Sequence, residues 1–153
     1  ESKDLKVLAR NREARARYEI LENNEAGIAL VGSEVKSCKK GGIQLRDAFA
    51  RVTGSGQLML INCRIEPWPQ AAYDPPDPLR ERVLLMHKAE IRRLVGKVAE
   101  KGLSLVALQC YLINGNIKLE LGLGKGRTFE DRRDVIKERE ANREAQRAMH
   151  RRR

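Results

Sequence analysis

The feature of this sequence that most constrains its fold is a pair of apolar segments separated by Asn114-Gly115. One segment runs from Leu103 to Ile113 and the other from Asn116 to Leu123. Asn-Gly is the dipeptide most typical of a two-residue type I′ turn, because both of its residues tolerate positive φ. The sequence therefore predicts two long antiparallel strands joined by a tight turn. These segments are also the longest apolar stretches, and both are shorter than the roughly 18 residues of a membrane helix.

Shorter β-like runs precede this hairpin. Tyr18–Glu22 and Ile28–Val31 are rich in β-branched and aliphatic residues, and Asn23-Asn24 between them predicts a turn. Gly32 is interpreted as a bulge or a close backbone approach within the second run.

A second hairpin is predicted in the middle of the chain. The segment 43–52 leads to Thr53-Gly54-Ser55-Gly56, whose glycines suit a hairpin loop, and 57–62 returns. All five prolines lie in residues 67–78, which predicts an irregular and stiff loop.

One internal helix is indicated after the proline-rich loop. Apolar residues from Ala89 to Ala99 recur at helical spacing, and Gly102 stands where a C-terminal cap belongs. Five or six short strands and one internal helix predict a mainly β protein, an OB-fold-like antiparallel β-barrel. With helical segments at the two ends the total is about three helices, and a flexible basic C-terminal tail follows the barrel.

The charge distribution divides the chain into three parts. Of the formal net charge of +10, the ends 1–17 and 131–153 contribute +3 and +4. We therefore expect a basic N-terminal arm with a short helix (1–17), a barrel domain that binds RNA (18–127) and a basic tail (128–153). The tail has too thin an apolar stripe for a stable free helix, so we expect disorder in isolation and helix on binding. Clustered cations favour a polyanionic partner, although a solubilising surface explains a charge run about equally well.

Signals for catalysis or a metal are weak. Cys38, Cys63 and Cys110 are distant in sequence and form no zinc motif, which indicates free thiols. His87 and His150 have no Cys or Ser partner at motif spacing, so neither a cofactor nor a metal is expected. Glu25 and Glu34 are interpreted as surface charges at strand turns on composition alone.

The glycine-rich segment Gly122–Arg127 resembles a phosphate cradle but lacks the GxxxxGK[ST] order. A flexible loop in contact with RNA is the interpretation favoured over a plain loop. A nucleotide enzyme that uses Lys125 is the weaker alternative, and no constellation of catalytic residues supports it.

Several motifs, taken in order, resemble the SsrA-binding protein (SmpB) family over roughly residues 10–150. The first of these motifs is Asn11-Arg12-Glu13-Ala14-Arg15. The motifs that follow it are Glu25–Leu30, Gly32–Ser37, Asp77–Arg82, Leu84–His87, Gly96–Val98, Lys101–Val106, Gly122–Arg127, Asp131–Arg133 and Ile136–Arg139. The proline-rich loop, the arginine-rich end of the tail and the cysteines depart from the family pattern.

The resemblance implies a non-catalytic protein that binds the tRNA-like domain of transfer-messenger RNA (tmRNA). It implies delivery of that RNA to stalled ribosomes for trans-translation, with the tail in the empty mRNA channel. The implied partners are tmRNA, the small ribosomal subunit with its 16S rRNA and, indirectly through the charged RNA, elongation factor Tu. A monomer without a membrane partner is expected, in a bacterial cytoplasm or, if the N-terminus was processed, a plastid stroma.

Family positions carried onto this chain give two sets of residues. The RNA-binding set is Asn11, Arg12, Arg15, Glu25, Leu85, Lys118, Lys125, Gly126 and Arg127. The ribosome-contacting tail set is Asp131, Arg132, Arg133, Lys137, Arg139 and Met149, the last on a loose alignment. The alternative is another OB-type ribosomal or translation protein that binds ribosomal RNA permanently.

Overall fold

The computed structural model describes residues 5–69, 75–127 and 129–151, and within the last range the side chains of 136–147. The described residues form nine strands and four helices, and strands predominate, as predicted. In chain order the elements are β1 (Lys6–Arg10), α1 (Ala14–Arg17), β2 (Tyr18–Ile28), α2 (Gly32–Lys39), β3 (Ile43–Gln44), β4 (Phe49–Val52), β5 (Leu58–Ile61), β6 (Arg64–Ile65), β7 (Arg82–Leu85), α3 (Lys88–Lys101), β8 (Ser104–Ile113), β9 (Asn116–Gly126) and α4 (Phe129–Arg151).

Six strands close into an antiparallel barrel in the order β8-β4-β5-β7-β2-β9, and the pairing of β9 with β8 completes the ring. β1 pairs with the C-terminal half of β8, and β3 and β6 form a separate two-stranded sheet. This closed antiparallel ring confirms the predicted OB-like barrel. Closure also leaves no open edge among the six strands.

Aliphatic side chains fill the barrel, as the scarcity of aromatic residues requires. Alternate residues of β9, namely Leu119, Leu121 and Leu123, point inward and are almost completely buried. Leu94 of α3 is fully buried in the same cluster, so the helix is fixed against the core. Burying a leucine stabilises the fold by roughly 1.5–3 kcal/mol.

The local turn signals are confirmed. Asn114 and Gly115 have φ of 50° and 80°, the left-handed conformation that a type I′ turn needs. Gly102 ends α3 at φ 62° and ψ 39°, and its N–H bonds to the carbonyl of Val98. Gly56 has φ 86° in the loop between β4 and β5.

The predictions for residues 18–32 were wrong in three respects. No turn forms at Asn23-Asn24, because β2 runs unbroken through them and pairs with β9 along its length. The strand ends at Ile28, so Ala29 to Val31 are not part of it. Gly32 is the first residue of α2 rather than a bulge, and the bulge in β2 lies between Ile20 and Glu22.

The glycine-rich segment was also misjudged as a loop. Gly122 to Gly126 belong to β9, and Cα partners across to β2 include Ile20 for Gly124. A Cβ on Gly122 would lie 2.8 Å from Cδ1 of Leu108, and one on Gly124 would lie 3.0 Å from Cβ of Tyr18. These glycines therefore allow side chains on the outer face of the barrel to pack closely, and they form no phosphate cradle.

Regular secondary structure occurs in the described residues at both ends of the chain. Within the described part of the arm (5–17), β1 was not predicted, and the helix is limited to Ala14–Arg17. α4 spans 23 residues in the structure of the chain without a partner, and α1 lies beside it. The predicted disorder of the free tail stays a prediction, which circular dichroism of the isolated segment would check. The proline-rich loop lies partly outside the described residues.

Candidate nucleic-acid interface

Three of the predicted RNA-binding residues come together on the outer face of the barrel. Glu25 on β2, Leu85 on β7 and Lys118 on β9 line one hollow of about 550 Å³. The strand register explains this, since Gly27 of β2 is the Cα partner of both Leu85 and Lys118. Residues separated by up to 93 positions in sequence thus meet around one glycine.

Leu85 presents an apolar surface to solvent within this hollow. Its side chain is 56% exposed although it belongs to a barrel strand. A Cβ on Gly27 would lie 3.3 Å from Cβ of Leu85, so a larger residue there would crowd this position. An exposed leucine beside polar groups suits contact with an unstacked base or a ribose.

Glu25 is held by a tyrosine that no motif in the sequence had indicated. The hydroxyl of Tyr111, on β8, donates a hydrogen bond to Oε2 of Glu25. Burial, together with the hydrogen bond to Glu25, raises the pKa of Tyr111 well above its usual value, so the phenol remains a donor. Glu25 itself is exposed, and its other oxygen is therefore open to a ligand.

Lys118 provides the positive charge of the hollow. It is half-buried, and among the described residues it forms no ion pair with a carboxylate. An ammonium group in this position is suited to a phosphate oxygen, which it contacts as a point charge.

The remaining predicted residues lie elsewhere, at α1 and the end of β9. The backbone N–H of Arg127 bonds to the carbonyl of Arg17 at 2.8 Å, and its Nε bonds to the carbonyl of Arg15 at 3.1 Å. Lys125 is exposed and is the Cα partner of Glu19. Arg12, which lies just before α1 in the sequence, is exposed. Gly126, the last residue of β9, lies between Lys125 and Arg127 in this region.

Asn11 has a structural role that its motif did not reveal. Its side-chain Nδ2 donates to the carbonyl of Ala107 at 2.9 Å, and its backbone N–H donates to the carbonyl of Leu108 at 2.8 Å. Asn11 therefore ties the end of β1 to β8. It does not line the hollow that contains Glu25.

Of the predicted tail residues, Lys137 and Arg139 lie on α4, the first exposed and the second half-buried. The side chains of Asp131, Arg132, Arg133 and Met149 lie outside the described residues. Ile136, on the same helix, is 46% exposed.

A buried ionic network was missed altogether, and Glu34 is its centre rather than a surface charge. Arg82, fully buried, donates to Oε2 of Glu34 at 2.7 and 2.9 Å, and Arg80 donates to Oε1 at 2.6 Å. The backbone N–H of Val31 also donates to Glu34 and so fixes the start of α2. Although burial opposes ionisation, the hydrogen bonds from Arg80, Val31 and Arg82 lower the pKa of Glu34. The S/T-x-x-E capping pattern is absent here, so only the Glu at the third helical position hinted at this role.

The network also orders the segment that leads into the hollow. Arg82 donates to the carbonyls of Cys63 at 2.7 Å and Pro78 at 3.2 Å. Arg82 begins β7, and Leu85 ends it. The position of Leu85 therefore depends on a charge pair inside the protein.

A second ionic cluster attaches α3 to β2. Glu22 accepts from Lys97 at 2.9 Å and pairs with Arg93 at 2.7 Å. The hydrogen bonds from Lys97 and Arg93 lower the pKa of Glu22 to about 2. Arg93 also donates to Asn24 at 3.1 Å, which accounts for an asparagine within a continuous strand.

This cluster predicts a pH dependence. A depressed carboxyl pKa stabilises the fold above its unfolded value near 4.5, and the contribution is lost as the pH falls from there toward 2. Because the three side chains are partly exposed, we expect about 1 kcal/mol or less. Urea unfolding at pH 5.5 and pH 3 measures the loss, which should be smaller in Glu22→Gln. An equal loss in both proteins would contradict the assignment.

The cysteines are free and buried, as the prediction of free thiols requires. Burial raises the pKa of Cys38 and Cys63 to about 12, so neither is a reactive thiolate. Within the described residues no group of three His, Cys, Asp or Glu side chains is arranged to hold a metal. Nor does any helix there have the length and apolar character needed to cross a membrane. His87 is the residue that immediately precedes α3.

Comparison with known proteins gives a consistent result. A family model described as SmpB protein matches residues 8–151. The chain is 50% identical over 147 residues to an SsrA-binding protein of Thermosynechococcus vestitus, which covers 95% of each protein. It is 51% identical over 152 residues to that of Synechococcus elongatus, covering 99% of this chain and 98% of the relative. A solved structure described as "tmRNA-SmpB: a journey to the center of the bacterial ribosome" is similar with a TM-score of 0.65 and 46% identity, over 83% of this chain and 92% of that one.

Proposed function

The chain belongs to the SmpB family, and from this premise we propose that it binds tmRNA and acts with it in trans-translation on the ribosome. The observation that carries the proposal is the hollow of Glu25, Leu85 and Lys118 on a chain about half identical to SsrA-binding proteins. A cation, an apolar side chain and a carboxylate acceptor together suit the phosphate, base and sugar groups of a folded RNA better than a uniform basic surface would. The tRNA-like domain of tmRNA is the proposed ligand.

We further propose that the barrel and the tail have different roles. The barrel binds the RNA, and the tail, with net charge +4, enters the vacant mRNA channel and contacts 16S rRNA of the small subunit. Support comes from α4, whose 23 residues span about 35 Å at 1.5 Å per residue. Most of its described side chains are exposed and so available to a partner. Elongation factor Tu would join through the charged RNA.

The protein acts by binding alone under this proposal, as a monomer in a bacterial cytoplasm. Support for a non-catalytic role comes from the Gly122–Gly126 segment, which is a packed strand rather than a phosphate cradle. Support for a bacterial host comes from the relatives, which include cyanobacterial proteins.

The test of the proposed function is a filter-binding titration of the full chain with tmRNA and with bulk tRNA at physiological salt. We expect at least about tenfold tighter binding of tmRNA, since recognition of shape adds to the general attraction for phosphate. Equal affinities would overturn the proposal in favour of a general RNA-binding protein. Preference for ribosomal RNA over tmRNA would instead identify a permanent ribosomal component.

Lys118→Ala is expected to weaken tmRNA binding about three- to tenfold and to lower the slope of log K against log salt by about 1, because one phosphate contact is lost. Lys39→Ala, which removes an exposed cation from α2, is the matched control and should leave both quantities unchanged. An unchanged slope for Lys118→Ala would show that Lys118 meets no phosphate.

A further inference from the structure

Two carboxylates stand side by side at the candidate RNA site of a chain with net charge +10. Glu25 of β2 and Glu120 of β9 are direct Cα partners across neighbouring antiparallel strands. Side chains in such pairs have Cβ atoms about 4.5–5.5 Å apart, and like charges there are unfavourable. A site that bound only phosphate would gain nothing from this arrangement.

Each carboxylate receives a neutral donor from the next strand, β8. Tyr111 donates its hydroxyl hydrogen to Oε2 of Glu25, and Nε2 of Gln109 donates to Oε2 of Glu120 at 2.5 Å. Gln109 is the Cα partner of Glu120, whereas Tyr111 is the partner of Lys118 and reaches across β9 to Glu25. The tyrosine is buried at 7% exposure, so its ring is fixed by packing.

The choice of donor determines what the site can bind. Lys118 is close enough in the register to compete for Glu25, yet no ion pair between them occurs in the described part of the chain. Because Tyr111 is neutral, it orients the carboxylate without cancelling its charge. One oxygen of Glu25 is thereby held by the protein, and the other remains an acceptor toward the hollow.

We propose that Tyr111 is a positioning residue for RNA recognition, which holds Glu25 so that its second oxygen accepts a hydrogen bond from a donor group of the RNA. The proposal rests on the proposed function and deepens it. The recognised group is a base amino group or a ribose 2′-hydroxyl, since these are the donors that a folded RNA exposes. A phosphate is repelled at the same point, so the carboxylates favour a fitted RNA over a polyanion in general.

The experiment is a double-mutant cycle on tmRNA affinity with the full chain. We expect Tyr111→Phe to weaken binding about fivefold, as loss of a charge-assisted hydrogen bond does. Glu25→Ala should weaken it about tenfold, and the double variant should be no weaker than Glu25→Ala within about twofold. The salt slope should be unchanged in Tyr111→Phe, because no phosphate contact is lost. The preference for tmRNA over bulk tRNA should fall in Tyr111→Phe.

Ser37→Ala is the matched control, because it also removes a hydroxyl donor, here bonded to the carbonyl of Glu66 at 2.6 Å and away from the hollow. It should leave tmRNA affinity within about twofold of the wild type while thermal unfolding reports its effect on stability. If the losses of affinity caused by the two substitutions multiply in the double variant, or if Tyr111→Phe binds tmRNA as the wild type does, the inference about Tyr111 is wrong. Neither result would contradict the proposed function. Equal affinity of the wild type for tmRNA and tRNA would overturn the proposed function itself.

Discussion

Deletion of residues 131–153 is expected to leave tmRNA affinity within about threefold of the full chain. It is expected to abolish peptide tagging, the product of trans-translation on stalled ribosomes. The physical reason is spatial separation of two roles. The hollow of Glu25, Leu85 and Lys118 lies on the barrel, and none of the described side chains of α4 (136–147) lines it. The lost net charge of +4 weakens only the general, salt-dependent attraction to RNA. Binding is measured by filter retention, and tagging is measured in a reconstituted translation system stalled on an mRNA without a stop codon.

A charge-matched pair of variants separates the tail's position from its charge. Lys137→Gln with Arg139→Gln should reduce tagging severalfold, whereas Lys39→Gln with Lys40→Gln, an equal change on exposed residues of the body, should not. If the deletion instead lowered tmRNA affinity and left tagging in proportion to it, the proposed division between body and tail would be wrong.

Glu34→Ala is expected to lower the free energy of unfolding by about 3–5 kcal/mol. The substitution leaves Arg82 fully buried, with two of its donors and its charge no longer opposed by a carboxylate. It also removes the acceptor for the N–H of Val31, which lies at the start of α2. Such a loss is a large fraction of the 5–15 kcal/mol that stabilises a typical domain. Urea unfolding at pH 7 measures it.

The control is Glu66→Ala, which removes a carboxylate paired with Arg64 at 2.6 Å on the protein surface. Exposed pairs contribute about 0–1 kcal/mol, so this variant should unfold almost as the wild type does. If the two variants lose similar amounts of unfolding free energy, the buried ion pairs of Glu34 stabilise the protein no more than an exposed pair does.

The sequence by itself determined the features that depend on near neighbours. The turn at Asn114-Gly115, the cap at Gly102 and the apolar spacing of α3 each follow from residues within about one helical turn or one hairpin of each other. The ordered set of family motifs added Glu25, Leu85 and Lys118, which the structure brings to one hollow. Whether these residues contact RNA stays a prediction until the binding variants are measured.

Only the tertiary structure decided which polar groups that are distant in sequence become hydrogen-bond partners. Glu34 bonds to Arg82 across 48 positions, and Tyr111 bonds to Glu25 across 86. The same closure stretches β2 through Asn23-Asn24, since Asn24 is bonded by Arg93 of a helix 69 positions away. Local patterns carry no information about such pairs, because strand register and helix docking bring them together only once the ring of strands has closed.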